Sequence, residues 1–115
     1  MTDSPFILSE LDDDGVLLVT MNRPEKKNAF HEPQWDALAD TLNEAKDNPA
    51  VAVVVLTGAG GNFSSGVDLS SFSGEPRPPR TDGKASAFFA FVDSLFEFDK
   101  PTLAAVNGVA VGGGC

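Results

Sequence analysis

Two glycine-bearing loops, each following an apolar stretch, hold the residues whose types and spacing could do chemistry: Ser64-Ser65-Gly66-Val67-Asp68-Leu69 and Val111-Gly112-Gly113-Gly114-Cys115. Glycine lets a backbone turn sharply and approach a ligand closely. Backbone N–H groups at such turns could converge on one oxygen as it gains negative charge, the arrangement that acyl-transfer and enolate-forming reactions need. If a helix starts in the second loop, its free N–H groups and the positive end of its dipole would face the same ligand. Neither loop is a nucleotide phosphate loop, because no Gly-Lys-Ser/Thr ending follows, and Gly108 to Gly113 lacks the dinucleotide-binding spacing. Spacing alone leaves a plain turn as the commoner reading of each loop.

The elements that must position these loops follow from periodicity. Phe6 to Leu8 and Val16 to Met21 read as strands joined through Asp12-Asp13-Asp14-Gly15, whose Asp-Gly step favours the positive backbone angles of a tight hairpin turn. Trp35, Leu38, Leu42 and Ala45 recur at spacings of three and four, which predicts a helix from about Pro33 to Lys46 with Pro33 in its first turn. Asn48-Pro49 ends it. Val51 to Leu56 is almost uniformly apolar and valine-rich, the pattern of a strand buried on both faces of a helix-covered sheet. Gly74 to Gly83 contains three prolines and no apolar residue and reads as a solvated loop rather than a domain boundary. Phe88, Phe91, Val92, Leu95 and Phe96 mark a second helix stripe with Asp93 and Glu97 on its solvated face, and Leu103 to Val106 reads as a further buried strand. The alternation predicts an α/β architecture.

Composition bounds the rest. The chain has 115 residues, is 42% hydrophobic and 22% charged, and is ordinary for a globular protein. No run approaches the roughly 20 apolar residues that a membrane span needs, and Met1-Thr2-Asp3-Ser4-Pro5 does not open a secretory signal, so a cytoplasmic protein without a membrane partner is expected. With 17 acidic against 8 basic residues the net charge is -9, which disfavours nucleic acid as a partner. The single cysteine, Cys115, can form no internal disulfide, and no metal site is expected.

Asn22-Arg23-Pro24 with Asn28-Ala29, the Ser-Ser-Gly-Val-Asp-Leu loop, and Lys100-Pro101 through Asn107-Gly108 to Gly-Gly-Gly-Cys occur in an order and spacing that resemble the crotonase superfamily of enoyl-CoA hydratases and isomerases. Each motif alone is weak; the ordered set is specific. The resemblance implies a crotonase-like spiral of strand–strand–helix units, incomplete in this chain. Residues 1–115 would then form the N-terminal portion of a single acyl-CoA-binding domain. It implies that the backbone N–H groups of Val67 and Gly113 hold the thioester oxygen of an acyl-CoA, and that Lys26, Lys27, Ala29, Ser65, Gly66, Asp68 and Leu69 border the CoA. Arg23, Lys26 and Lys27 form the only dense basic patch of an acidic chain, suited to the CoA phosphates. CoA enters as part of the substrate, and no separate cofactor is implied.

The glutamates that assist water addition in hydratases fall, in the family's pattern, just past the position of Cys115 and further on. The resemblance therefore implies a 2-enoyl-CoA hydratase of fatty acid oxidation as the whole protein, with an enoyl-CoA delta isomerase as the alternative and a non-catalytic acyl-CoA-binding fragment as an answer of another class. The 115 residues alone are expected to be inactive, and the whole protein a homo-trimer or hexamer. Among the remaining polar residues, Asp68 reads as a helix cap rather than a proton carrier. His31 reads as a surface or capping residue, and Ser64 and Ser65 have no histidine near them in sequence. The phenylalanines from Phe88 to Phe98 read as core, with bordering an acyl tail as the other possibility.

Overall fold

A computed structural model describes residues 5–66 and 86–114. The expected proline-rich loop from Gly74 to Gly83 and the capping role of Asp68 lie outside the described residues. Strands β1 (Ile7–Leu11), β2 (Val16–Met21), β3 (Val53–Gly58) and β4 (Thr102–Ala104) form one sheet in the order β1-β2-β3-β4. The first pair is antiparallel, whereas β2 with β3 and β3 with β4 are parallel. Parallel neighbours need a crossover, and helix α1 (Glu32–Asp47) lies between β2 and β3 while α2 (Ala87–Glu97) lies between β3 and β4.

Alternation along β2 sets the layering. Leu17, Val19 and Met21 are fully buried and point to one face, while Leu18 between them is exposed. The buried set joins Ile7 of β1, Val54 of β3 and Leu38, Leu42 and Ala45 of α1 in one core. Sequence and structure agree closely on α1, whose second residue is Pro33 and whose last turn precedes Asn48-Pro49. The C-terminal carbonyls of α1 are satisfied from a distance: Lys100 Nζ donates to Ala45 O and to Asn48 O, each at 2.7 Å. A cation at the negative end of the helix dipole thereby ties the start of β4 to α1.

Four expectations are corrected. Val51 to Leu56 is not a strand buried on both faces: β3 starts at Val53, and Val53, Val55 and Leu56 are only half-buried, because the described helices cover one face of the sheet. The strand expected from Leu103 to Val106 is the short β4, and all of its residues are exposed because it is the sheet edge among the described elements. The hairpin does not use a tight turn with consecutive positive angles; only Gly15 has a positive φ, of 87°, and the Asp12 carboxylate organises the loop by accepting from the N–H groups of Asp14 and Val16 at 2.9 Å. Finally, the α2 phenylalanines are not uniformly core. Phe91 packs on the core, but Phe88, Phe89 and Phe96 are exposed.

Asp93 and Glu97 do not face open solvent alone; with Ser94 they form one wall of a groove whose other wall is Asp36, Asp40 and Asn43 of α1. Partial burial there, with the neighbouring charges of Asp36 and Glu44, pushes the Asp40 carboxyl above its ordinary range. A carboxyl whose pKa is raised by folding holds its proton better in the folded chain. Its favourable contribution is therefore present at low pH and is lost as the pH rises through the folded value. Asp40→Asn should raise the thermal midpoint slightly at neutral pH, since the side chain is largely exposed and its charge is screened. In melts across a pH series the gain should fade below about pH 4, where Asp40 is protonated in either state.

Candidate functional site

The site is assembled from three loops, and the first is shaped by left-handed backbone. After β2, Pro24–Lys26 forms one 3-10 turn, and Lys27 and Asn28 take positive φ angles of 50° and 57°. Asparagine tolerates that region better than most residues, and here its side chain is also put to use. Asn28 is completely buried; its Oδ1 accepts from Arg23 N at 2.7 Å, and its Nδ2 donates to Ala59 O at 2.9 Å and Asn62 O at 2.7 Å. One amide thus joins the loop after β2 to the glycine turn Ala59–Gly61 after β3. Arg23 folds inward beside it and donates from a guanidinium nitrogen to Ala29 O at 2.6 Å. The expected basic patch is corrected accordingly: Arg23 is buried, and Lys26 and Lys27 are its exposed members.

The second loop runs from β3 to Gly66. Ser64 is completely buried, and its hydroxyl donates to Asn28 O at 2.9 Å and accepts from Gly66 N at 3.2 Å. A serine used in this way is a brace and not an exposed nucleophile. Ser65 donates from its N–H to Lys27 O at 3.0 Å and from its hydroxyl to Lys26 O at 3.2 Å, and Phe30 N donates to Gly66 O at 2.6 Å. Ser64–Ser65–Gly66 is therefore zipped along one side to residues 26–30. Gly66 itself has a φ of 100°, a region only glycine enters without strain.

The third loop closes on the opposite side. Ser64 N donates to Val109 O at 2.9 Å and Val111 N donates to Ser64 O at 3.1 Å, a parallel bridge centred on Ser64 and Ala110. Asn107 aligns the approach: its Oδ1 accepts from Thr57 Oγ1 at 3.1 Å and Gly58 N at 3.3 Å, and its Nδ2 donates to Gly58 O at 2.7 Å. The glycine run then forms a 3-10 turn at Gly112–Gly114. A Cβ on Gly114 would stand 2.5 Å from Ser64 O, so this position admits no side chain while the bridge is intact.

Of the residues singled out in the sequence, Ser65 meets Lys26 and Lys27, while Ser65 and Gly66 directly follow Ser64, the residue that meets the segment leading into the glycine run that contains Gly113. Lys26 and Lys27 are exposed and Ala29 is buried. Val67, Asp68 and Leu69 lie outside the described residues. His31 precedes α1 as its cap residue without a side-chain capping bond and packs edge-on against Phe6 at 4.6 Å. The positioning roles of Asn28, Ser64 and Asn107 were not foreseen; an asparagine or serine next to a glycine turn was the available signal. An apolar cavity of about 500 Å³ opens against the glycine run, with Ala110, Gly112 and Gly114 in its wall.

This chain matches the family model described as enoyl-CoA hydratase/isomerase over residues 12–115. It is 37% identical over 112 residues to 1,2-epoxyphenylacetyl-CoA isomerase of Escherichia coli, covering 95% of this chain and 42% of that protein. It is 36% identical over 104 residues to human enoyl-CoA delta isomerase 2, covering 87% of this chain and 26% of that protein. Among solved structures, enoyl-CoA hydratase EchA8_6 of Mycobacterium marinum superposes with a TM-score of 0.82 at 41% identity, covering 95% of this chain and 51% of that one. The chain belongs to the enoyl-CoA hydratase/isomerase family and has the crotonase-like α/β fold. It spans less than half the length of these curated relatives.

Asn28→Ala would leave Arg23 N, Ala59 O and Asn62 O without that partner inside the protein. Denaturant unfolding should show a loss of about 3 kcal/mol, in the range for breaking a buried polar network. Gly114→Ala should cost about 1–3 kcal/mol through overpacking. Its sharper signature is faster amide exchange at Ser64 and Val111, whose bridge must open to admit the methyl group.

Proposed function

We propose that the protein carrying this chain binds an acyl-CoA thioester and stabilises the enolate formed at its carbonyl, hydrating a 2-enoyl-CoA in fatty acid oxidation. The observation that carries the reading is the Ser64–Ala110 bridge, which brings the two glycine loops side by side. In the proposal, Val67 N–H, directly after Gly66, and Gly113 N–H donate to the thioester oxygen. Water adds its oxygen to C3 of the conjugated double bond, the displaced electron pair moves to the thioester oxygen as enolate, and a proton then returns to C2. Main-chain donors fixed before the reaction gain strength as that charge develops and need no reorganisation. A valine serves as well as a smaller residue because only its N–H is used.

Residues 1–115 would supply the polarising, N-terminal portion of a single domain. Lys26 and Lys27 would meet CoA phosphates, and Ala29, Ser65, Gly66, Asp68 and Leu69 would border the rest of the CoA. Double-bond isomerisation is the second reading, favoured by the relatives named as isomerases. It uses the same oxyanion contact without adding water: a proton leaves C2 of a 3-enoyl-CoA, the electron pair moves to the thioester oxygen as a dienolate, and a proton returns at C4. A cytoplasmic homo-trimer or hexamer without a separate cofactor completes the proposal.

Val67→Pro removes one N–H donor while keeping an apolar residue. In the full-length protein this should lower turnover of a 2-enoyl-CoA by about a hundredfold or more while free CoA still binds. The thioester carbonyl stretch, displaced on binding to the unaltered protein, should return toward its solution frequency in the variant. An unaltered protein that binds the thioester without displacing that frequency would refute the oxyanion reading.

A further inference from the structure

Two peptide units stand in line behind the donor proposed at Val67, and a buried cation stands at the far end of that line. The guanidinium of Arg23, a residue only 8% exposed, donates to Ala29 O at 2.6 Å. Ala29 C=O and Phe30 N–H belong to one peptide, and that N–H donates to Gly66 O at 2.6 Å. Gly66 C=O in turn shares its peptide with the N–H of Val67. A planar trans peptide points its N–H away from its C=O, so a bond received at the oxygen fixes the direction in which the N–H is offered. The other side of Gly66 is also held, because its own N–H donates to the Ser64 hydroxyl at 3.2 Å. Both bonds of the line are short beside the usual spacing of about 2.9 Å. The Phe30 ring, buried and stacked on Trp35 with centroids 3.7 Å apart, keeps the middle unit from turning.

We infer that Arg23 is a positioning and polarising residue for the oxyanion donor that follows Gly66, acting through the Ala29–Phe30 and Gly66–Val67 peptides. The inference rests on the thioester reading above, since it needs a developing anion at the end of the line. A hydrogen bond accepted at a carbonyl draws electron density from the N–H of the same peptide and makes that N–H the better donor, an effect that builds along a chain. This chain starts at a full positive charge and ends where an enolate oxygen gains negative charge, so each of its dipoles is aligned with the field between them. Arg23 itself needs no contact with the thioester. Lys26 and Lys27 on the same loop are exposed and can meet phosphate, whereas Arg23 is turned inward to main chain. The summed lengths of the line put its charge about 12 Å from the oxygen. At that range one unit charge in a partly desolvated interior changes a rate roughly tenfold.

The test uses the full-length protein and butanoyl-CoA, which has no double bond to hydrate. With isotope-labelled phenylalanine, and Phe30 assigned from a Phe30→Leu variant, the Phe30 amide proton resonance should move downfield when butanoyl-CoA binds but not when free CoA binds, because the thioester oxygen draws on the whole line. This measurement needs no altered Arg23, and an unmoved Phe30 amide overturns the inference. Arg23→Gln removes the charge and keeps an amide donor. It should lower turnover of a 2-enoyl-CoA roughly tenfold, leave the affinity for free CoA as it was, and return the thioester carbonyl stretch part of the way toward its solution frequency. Arg23→Lys, which restores the charge, should recover most of the turnover and of the displaced frequency. Turnover unchanged in Arg23→Gln, or lysine and glutamine variants equally impaired, would leave Arg23 a structural role only and overturn the inference while the thioester reading stands. If the unaltered protein binds butanoyl-CoA without displacing its carbonyl stretch, the thioester reading falls and the inference with it.

Discussion

The Ser64 peptide is the constraint on which this site depends. Its N–H and C=O are both taken by the segment Val109–Val111, and its hydroxyl is taken by Asn28 O. One buried residue therefore fixes three stretches of chain that are far apart in sequence. A buried peptide group without its partner costs more than a hydrogen bond returns, so the three loops cannot drift apart without exposing polar groups to an apolar interior. Fixed position is what backbone donors need if they are to act on a developing charge rather than follow it.

The sheet supplies the alignment for that junction. β3 and β4 run parallel, so the loops that follow them leave from the same end of the sheet. Ligands of parallel sheets commonly sit beyond the carboxyl ends of the strands for this reason. Asn107 continues the ladder past β4 by pairing its side chain with both backbone groups of Gly58, in place of a strand that has already ended. Lys100 secures the other end of β4 to the last turn of α1. The short exposed strand is thus held at both ends while its middle contributes little burial.

Charge and apolarity are sorted to opposite places. Asp36 and Asp40 of α1 and Asp93 and Glu97 of α2 line a groove between the two helices, whereas the described residues that line the cavity at the glycine run include no charged side chain. Lys26 and Lys27 stand exposed on the loop zipped to Ser65. A chain with net charge -9 can in this way present a small cationic surface to an anionic group, because exposed charges are screened beyond about 8–10 Å at physiological ionic strength.

The sequence by itself determined the elements and the family. The spacing of Trp35, Leu38, Leu42 and Ala45 specifies α1, because a helix repeats its face every three to four residues wherever it sits. The apolar run Val16–Met21 between Gly15 and Asn22 specifies β2, while the alternation of its burial is set by the fold. Ordered motifs from Asn22 to Cys115 identified the relatives. Burial was less legible: β3 and β4 read as strands covered on both faces, yet coverage belongs to neighbours and not to the strand's own residues. Only the tertiary structure decided that Arg23 turns inward, that Ser64 is a brace, and that Phe88 and Phe91 frame a cavity while Phe96 faces outward. Those outcomes depend on hydrogen bonds and ring contacts between segments tens of residues apart, and no local period records them.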